Sequence, residues 1–235
     1  MFASNHTLIT INYRNGMASM NASKTVFDWA TIASDPAKHR GGVRLQDFTH
    51  VRLYHFCRPV DIQSYLKNGI RLFQHQELAQ QFHERFKDVA QEHRDYAVAR
   101  MLHDRSEPRV DAMMDERCMS AQKNFYSSHG SEMIRGFCAE LYGPTGIDYR
   151  TRLLESGTPA VIVFEAPLDE VEYEAIEDVN MALEGLSAGR YEEFVGPGHI
   201  TCFALSFMKT VPPEWITDHR WIDVASLSRE LADDS

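Results

Sequence analysis

The chain is short of cysteine, and the four it has are badly spaced for metal binding. Cys57, Cys118, Cys138 and Cys202 form no Cys-x-x-Cys pair, which argues against a zinc ribbon. Their scatter suits reduced thiols. The opening residues Met1 to His6 have no basic stretch followed by a long apolar one, so a secretory leader is not expected and a cytoplasmic protein is. Long apolar runs are missing too: nothing approaches the roughly 20 residues that span a bilayer. Positive charge is in deficit, with 24 Lys and Arg against 34 Asp and Glu and a formal net charge of -10. That weighs against a broad electrostatic grip on nucleic acid. There is no Gly-x-Gly-x-x-Gly and no Gly-rich phosphate loop, which disfavours Rossmann and P-loop enzymes. The 11 histidines are strewn along the chain, and His83-Glu84-Arg85 lacks the second histidine of a zincin helix. No metal is expected.

What is present reads as one α+β domain. Hydrophobic residues make up 43% and charged residues 25% of 235 positions, enough for a sizeable core. Residues 1–24 read as an N-terminal arm. Val26 to Ala30 reads as a short helix covering the core. Pro159 to Leu168 is a continuous apolar run, expected as a central strand buried on both faces. Cys202 to Phe207 reads as a further strand and Ala225 to Leu231 as a closing helix. From Glu77 to about His103 apolar residues recur at three and four, Leu78, Phe82, Phe86 and Val89 among them, which predicts a helix. Val110 to Met119 reads as a second short helix, so residues 77–119 are expected to form a helical insertion. Strands in the C-terminal half and helices in the middle predict a mainly antiparallel central sheet.

Three stretches carry candidate chemistry. Leu53-Tyr54-His55-Phe56-Cys57-Arg58 is a short strand with a histidine near its end, followed after Pro59 by an amphipathic helix that stops at Gly69. Its neighbourhood is locally basic: Lys38, Arg40, Arg44, Arg52, Arg58, Lys67 and Arg71 face only Asp47 and Asp61. Lys123 to Ile134 reads as a strand ending at Phe125-Tyr126-Ser127. Ser131, or Ser128 with Ser131-Glu132 in the first turn, is then a candidate N-cap for a helix that carries Phe137 and runs to Tyr142. Tyr191 to Ile200 holds Glu192 and Glu193, which a strand would point to opposite faces.

The order His, aromatic, Glu resembles ADP-ribosyltransferases of the His-Tyr-Glu class. Leu53 to Cys57 with Ile62 to Ile70 is similar to that family's first block, and Glu193-Phe194-Val195 to its late glutamate strand. The resemblance implies an ADP-ribosyltransferase type of sheet and an NAD-consuming mono-ADP-ribosyltransferase of the bacterial toxin, effector or defence kind. The acceptor would be a macromolecule, protein rather than nucleic acid, with no membrane partner. It also implies roles. Glu193 would be the catalytic carboxylate that grips the ribose 2′-hydroxyl as positive charge develops on the sugar. His55 would hold the adenosine ribose as a donor. Tyr126 would stack on nicotinamide, with Phe125, Phe137 and Tyr142 as competitors. Arg58 belongs to the basic pyrophosphate side. Cys57 stands where the family has a Ser or Thr that reaches the nicotinamide amide, and a thiol is a weaker hydrogen-bonding group. A non-enzymatic protein-binding module on the same fold stays open beside this reading, as does a phosphotransferase or nuclease of related fold.

Overall fold

The strand expected around His55 forms the centre of the sheet. In the computed structural model, which describes residues 23–34, 43–103, 107–117, 130–188 and 203–223, β2 (His50–Cys57) pairs antiparallel with β4 (Ala160–Pro167) at every position from His50↔Pro167 to Cys57↔Ala160. Beyond β4 lies β6 (Ile216–Trp221). On the other side come β3 (Val110–Met113) and β5 (Ala204–Phe207). The order is β5-β3-β2-β4-β6, and β1 (Val26–Phe27) pairs parallel with the start of β2. The fold is α+β with a mostly antiparallel six-stranded sheet.

The two faces of the sheet differ. Val51, Leu53, Cys57, Ala160, Ile162, Phe164 and Ala166 alternate onto one face, as period-two patterning requires. There they bury Trp29 and Ile32 of α1 (Trp29–Ser34) and Val179, Ala182 and Leu183 of α7 (Tyr173–Ser187). The other face carries the smaller cluster Tyr54, Phe56, Val161 and Val163. Beside that cluster, Arg52 and Glu165 sit opposite each other on β2 and β4 and bond at 2.8 Å. Lys24 reaches Glu165 at 2.9 Å, and Arg52 also holds Asp28 at 2.8 Å. Burial alone would raise the Glu165 carboxyl, but the hydrogen bonds and charges of Arg52 and Lys24 win and hold it below its ordinary value.

The helices follow their local signals. α2 (Ile62–Asn68) starts at Asp61, whose side chain accepts from the Gln63 amide at 2.9 Å, a cap worth about 1 kcal/mol. It stops at Gly69 (φ 79°), where a Cβ would lie 2.0 Å from the Val211 carbonyl oxygen. α5 (Glu132–Glu140) starts at Ser131, whose Oγ accepts from the Ile134 amide. α6 (Tyr142–Thr145) follows it. α3 (His75–Arg85) and α4 (Gln91–Leu102) replace the single helix expected over 77–103. The chain turns between them because Phe86 and Val89 both enter a second core with Phe82, Ile134, Phe137 and Leu141. That core is separate from the main one.

Two expected helices are corrected. Val110–Met113, placed in the helical insertion, is a strand of the sheet. Val110 and Ala112 alternate into the main core, so period two wins over a short helical pattern. Val26–Phe27 is likewise a strand, and the helix starts only at Trp29. Residues 1–22 of the arm expected over 1–24, the Phe125-Tyr126-Ser127 strand end and the helix from Ala225 to Leu231 lie outside the described residues.

Candidate functional site

β2 uses its two edges differently. In an antiparallel ladder the N–H and C=O of one residue point to the same side, and successive residues alternate. The Thr158 amide donates to the Pro59 carbonyl and the Leu168 amide to the Thr49 carbonyl, so odd residues of β2 face β4. Even residues face the opposite edge, as the His50 amide confirms by donating to the Thr25 carbonyl beside β1. Tyr54 then pairs with Met113 of β3, and there the ladder stops. The next facing pair, Phe56 and Asp111, forms no bridge among the described residues.

A cleft of about 620 Å³ opens where the two strands part. Its walls are the end of β2 with Arg58 to Asp61, β3 with Glu107 to Arg109, α2 through Ser64 and Tyr65, and the turn Ile70 to Phe73. α3 adds His75, Leu78, Gln81 and Arg85, and the start of α5 adds Gly130 to Ile134.

His55 lines this cleft, half-buried. Its Nδ1 lies 2.9 Å from the Asp111 carbonyl oxygen. A carbonyl only accepts, so Nδ1 carries the proton, and in the neutral ring Nε2 is an acceptor. Burial pushes the imidazole below its ordinary value, against the opposing pull of the Asp111 carbonyl and carboxylate. The neutral form therefore holds at pH 7. The ring lies beside Tyr65, with centroids 6.4 Å apart and planes at 37°. This reverses one expectation: in this tautomer His55 offers a ligand an acceptor, not a donor.

Cys57 also borders the cleft, but its thiol is buried, sits 3.7 Å from the Ala160 carbonyl and is pushed up to about 12 by burial. It is a poor partner for an amide. Arg58 lines the wall, where its guanidinium donates to the carbonyls of Ser156 (2.9 Å) and Leu154. Arg85 comes in beside it from α3, bonded to the Ser156 hydroxyl and the Arg152 carbonyl. Burial first, and the Arg85 charge second, lower the Arg58 guanidinium from its ordinary value. The two cations are thus held side by side, with Ser156 as a common partner.

The other expected contacts divide. Phe137 does not reach the cleft: it is fully buried in the second core, 5.0 Å from Phe82 centroid to centroid. An amphipathic helix sends its aromatic inward when a core is available. Tyr142 is 61% exposed at the start of α6 and is not among the lining residues. Glu193, Glu192, Tyr126 and Phe125 lie outside the described residues. Sequence reasoning had Arg71 in the basic neighbourhood of His55 but missed Tyr65, Phe73 and Arg85. Tyr65 lies on an amphipathic helix, where its spacing suits a core as well as a cleft, and Phe73, under the Arg71 guanidinium at 4.8 Å, lies in a turn that no periodicity marks. Among the described residues no group of three or more His, Cys, Asp or Glu is placed to hold a metal ion, and no helix is long and apolar enough to cross a membrane.

Compared with protein-family models, curated proteins and solved structures, the chain matches none.

Proposed function

We infer that the cleft between β2 and β3 binds NAD and that the chain transfers ADP-ribose from it to a macromolecular acceptor. The observation that supports this most is the open edge of Phe56. Its N–H and C=O are turned toward the cleft side of β2, next to the imidazole of His55. One donor and one acceptor on a fixed strand edge complement a primary carboxamide, which brings one acceptor and one donor of its own. Nicotinamide carries such a group. A ribose hydroxyl of the same ligand would donate to Nε2 of His55, and Arg58 with Arg85 would face its phosphates.

The chemical step follows from the sequence resemblance. As the bond from nicotinamide nitrogen to ribose C1 breaks, nicotinamide leaves with the electron pair and the sugar becomes oxocarbenium-like. The Glu193 carboxylate would stabilise that charge through the 2′-hydroxyl, and Tyr126 would hold the nicotinamide ring. The acceptor nucleophile then bonds to C1.

Incubating the protein with NAD labelled in its adenylate half and a cell lysate tests the reading. Label is expected on a macromolecule, and Glu193→Gln is expected to lower turnover about 100-fold or more with NAD affinity changed only a few-fold. Full activity of Glu193→Gln together with loss in Glu192→Gln would shift the carboxylate by one residue. Failure of the wild type to bind or cleave NAD would sink the proposal.

A second reading draws on Cys57. Its thiol is spent on the Ala160 carbonyl, where the family has a hydroxyl for the amide. A strand edge that fits a carboxamide also fits a peptide, so a non-enzymatic module that takes an extended protein segment against Phe56 is the alternative. Peptide binding without NAD binding would favour it.

A further inference from the structure

We propose that His55 is the wedge that builds the cleft: its side chain satisfies the backbone acceptor whose need for a donor would otherwise draw β2 and β3 together, and so leaves Phe56 open for a ligand. The register fixes which groups would meet. With Tyr54 opposite Met113, Phe56 stands opposite Asp111. The Met114 amide donates to the Phe203 carbonyl on the β5 side, so the alternating residues Met113 and Asp111 face β2. Phe56 and Asp111 are therefore the next pair that would exchange two backbone hydrogen bonds. Yet no bridge joins that pair among the described residues, and the Asp111 carbonyl receives the Nδ1–H of His55 at 2.9 Å. The imidazole belongs to a residue whose own main chain is committed to β4, opposite Ile162. One strand thus gives its backbone to one neighbour and its side chain to the backbone of the other.

Buried backbone groups demand partners. If the imidazole is removed, the Asp111 carbonyl loses its donor, and the nearest replacement by register is the Phe56 amide. Pairing would then advance by one step and consume both edge groups of Phe56. A carbonyl already satisfied by the imidazole gains less from a further donor, so the Nδ1–H weakens the drive to pair and leaves the Phe56 edge to a ligand. This holds for any ligand that uses the Phe56 edge, and it does not rest on the ADP-ribosyl transfer reading.

Asparagine separates the wedge from a direct ligand contact. Its side-chain amide nitrogen sits at the branch position of Nδ1 and can donate to the Asp111 carbonyl, but it has no counterpart of Nε2. Alanine removes both. Valine also removes both while suiting a strand, so it replaces alanine should that variant fail to fold.

Residue-resolved amide hydrogen exchange on the ligand-free protein decides the matter. In His55→Ala and His55→Val the amides of Phe56 and Asp111 are expected to slow by about tenfold, the effect of one added backbone hydrogen bond each. In His55→Asn both amides are expected to exchange at the wild-type rate. The amides of Leu53 and Cys57, on the β4 edge, should stay protected in all variants and report an intact sheet. Wild-type exchange at Phe56 and Asp111 in both the Ala and Val variants would overturn the proposal, as would equal slowing in the Asn variant.

Discussion

The two edges of β2 are made of the same eight residues and behave as opposites. Along β4 every residue from His50 to Cys57 has a partner. Along β3, among the described residues, only Tyr54 has one. The paired edge is backed by fully buried side chains such as Leu53, Ile162 and Phe164. The open edge faces a cleft lined by His55, Tyr65, Arg58 and Arg85. A strand held along its whole length on one side can leave part of its other side unpaired without losing its place. The rigid edge is therefore what gives the open edge its precision. The separation of the cores has the same logic: α3, α4 and α5 bury their own apolar faces together, so α3 and α5 can present Arg85, Ser131 and Glu132 to the cleft without drawing on the main core.

The contrast is broken most severely at Phe164. Its ring is fully buried on the β4 side and meets Phe207 edge-on at 5.8 Å. Phe164→Ala should cost about 3–5 kcal/mol in denaturant unfolding. A cost under 1 kcal/mol would mean that the paired edge does not carry the fold.

Glu165 tests the same edge through pH. Its carboxyl is held below its ordinary value in the folded chain. The contribution is therefore fully present above the unfolded carboxylate range of about 4.3 and is lost as pH falls through the lower folded value. Glu165→Gln should flatten the acid limb of stability against pH and cost about 1 kcal/mol near neutrality, a figure kept small because Arg52 is 37% exposed. An unchanged acid limb would show that the carboxylate gains nothing from Arg52 and Lys24.

Cys57 gives the smallest effect and marks the boundary between the two edges. Its thiol borders the cleft yet is buried and pushed up to about 12. A maleimide at pH 8 should leave Cys57 unmodified in the native protein and label it only on unfolding. Rapid native labelling would place the thiol on the open side and reinstate it as a ligand contact.

Much of this was legible in local pattern. The strand around His55, the Asp61 cap, the Gly69 stop, the Ser131 cap and the apolar run from Ala160 are written in neighbouring residues, because caps and periodicity act over one or two turns. β3 was misread although Val110, Ala112 and Met114 alternate, since four residues are too few to separate period two from a helical stretch. Phe137 and Tyr142 were assigned to a ligand because aromatic residues suit both a core and a stacking site, and only packing tells them apart.

The sequence by itself determined that His55 lies near the end of a strand, that a capped helix follows, and that a second helix begins beside Ser131. Tertiary structure alone decided that β2 would be zipped to β4 and parted from β3, that Arg58 would meet Arg85, and that the imidazole would be tautomer-fixed by the Asp111 carbonyl. The reason is physical. Elements form from interactions between near neighbours, which side-chain order records. Strand pairing is made by backbone N–H and C=O groups that every residue carries alike, so nothing in the side chains of Phe56 or Asp111 tells which edge will be left open.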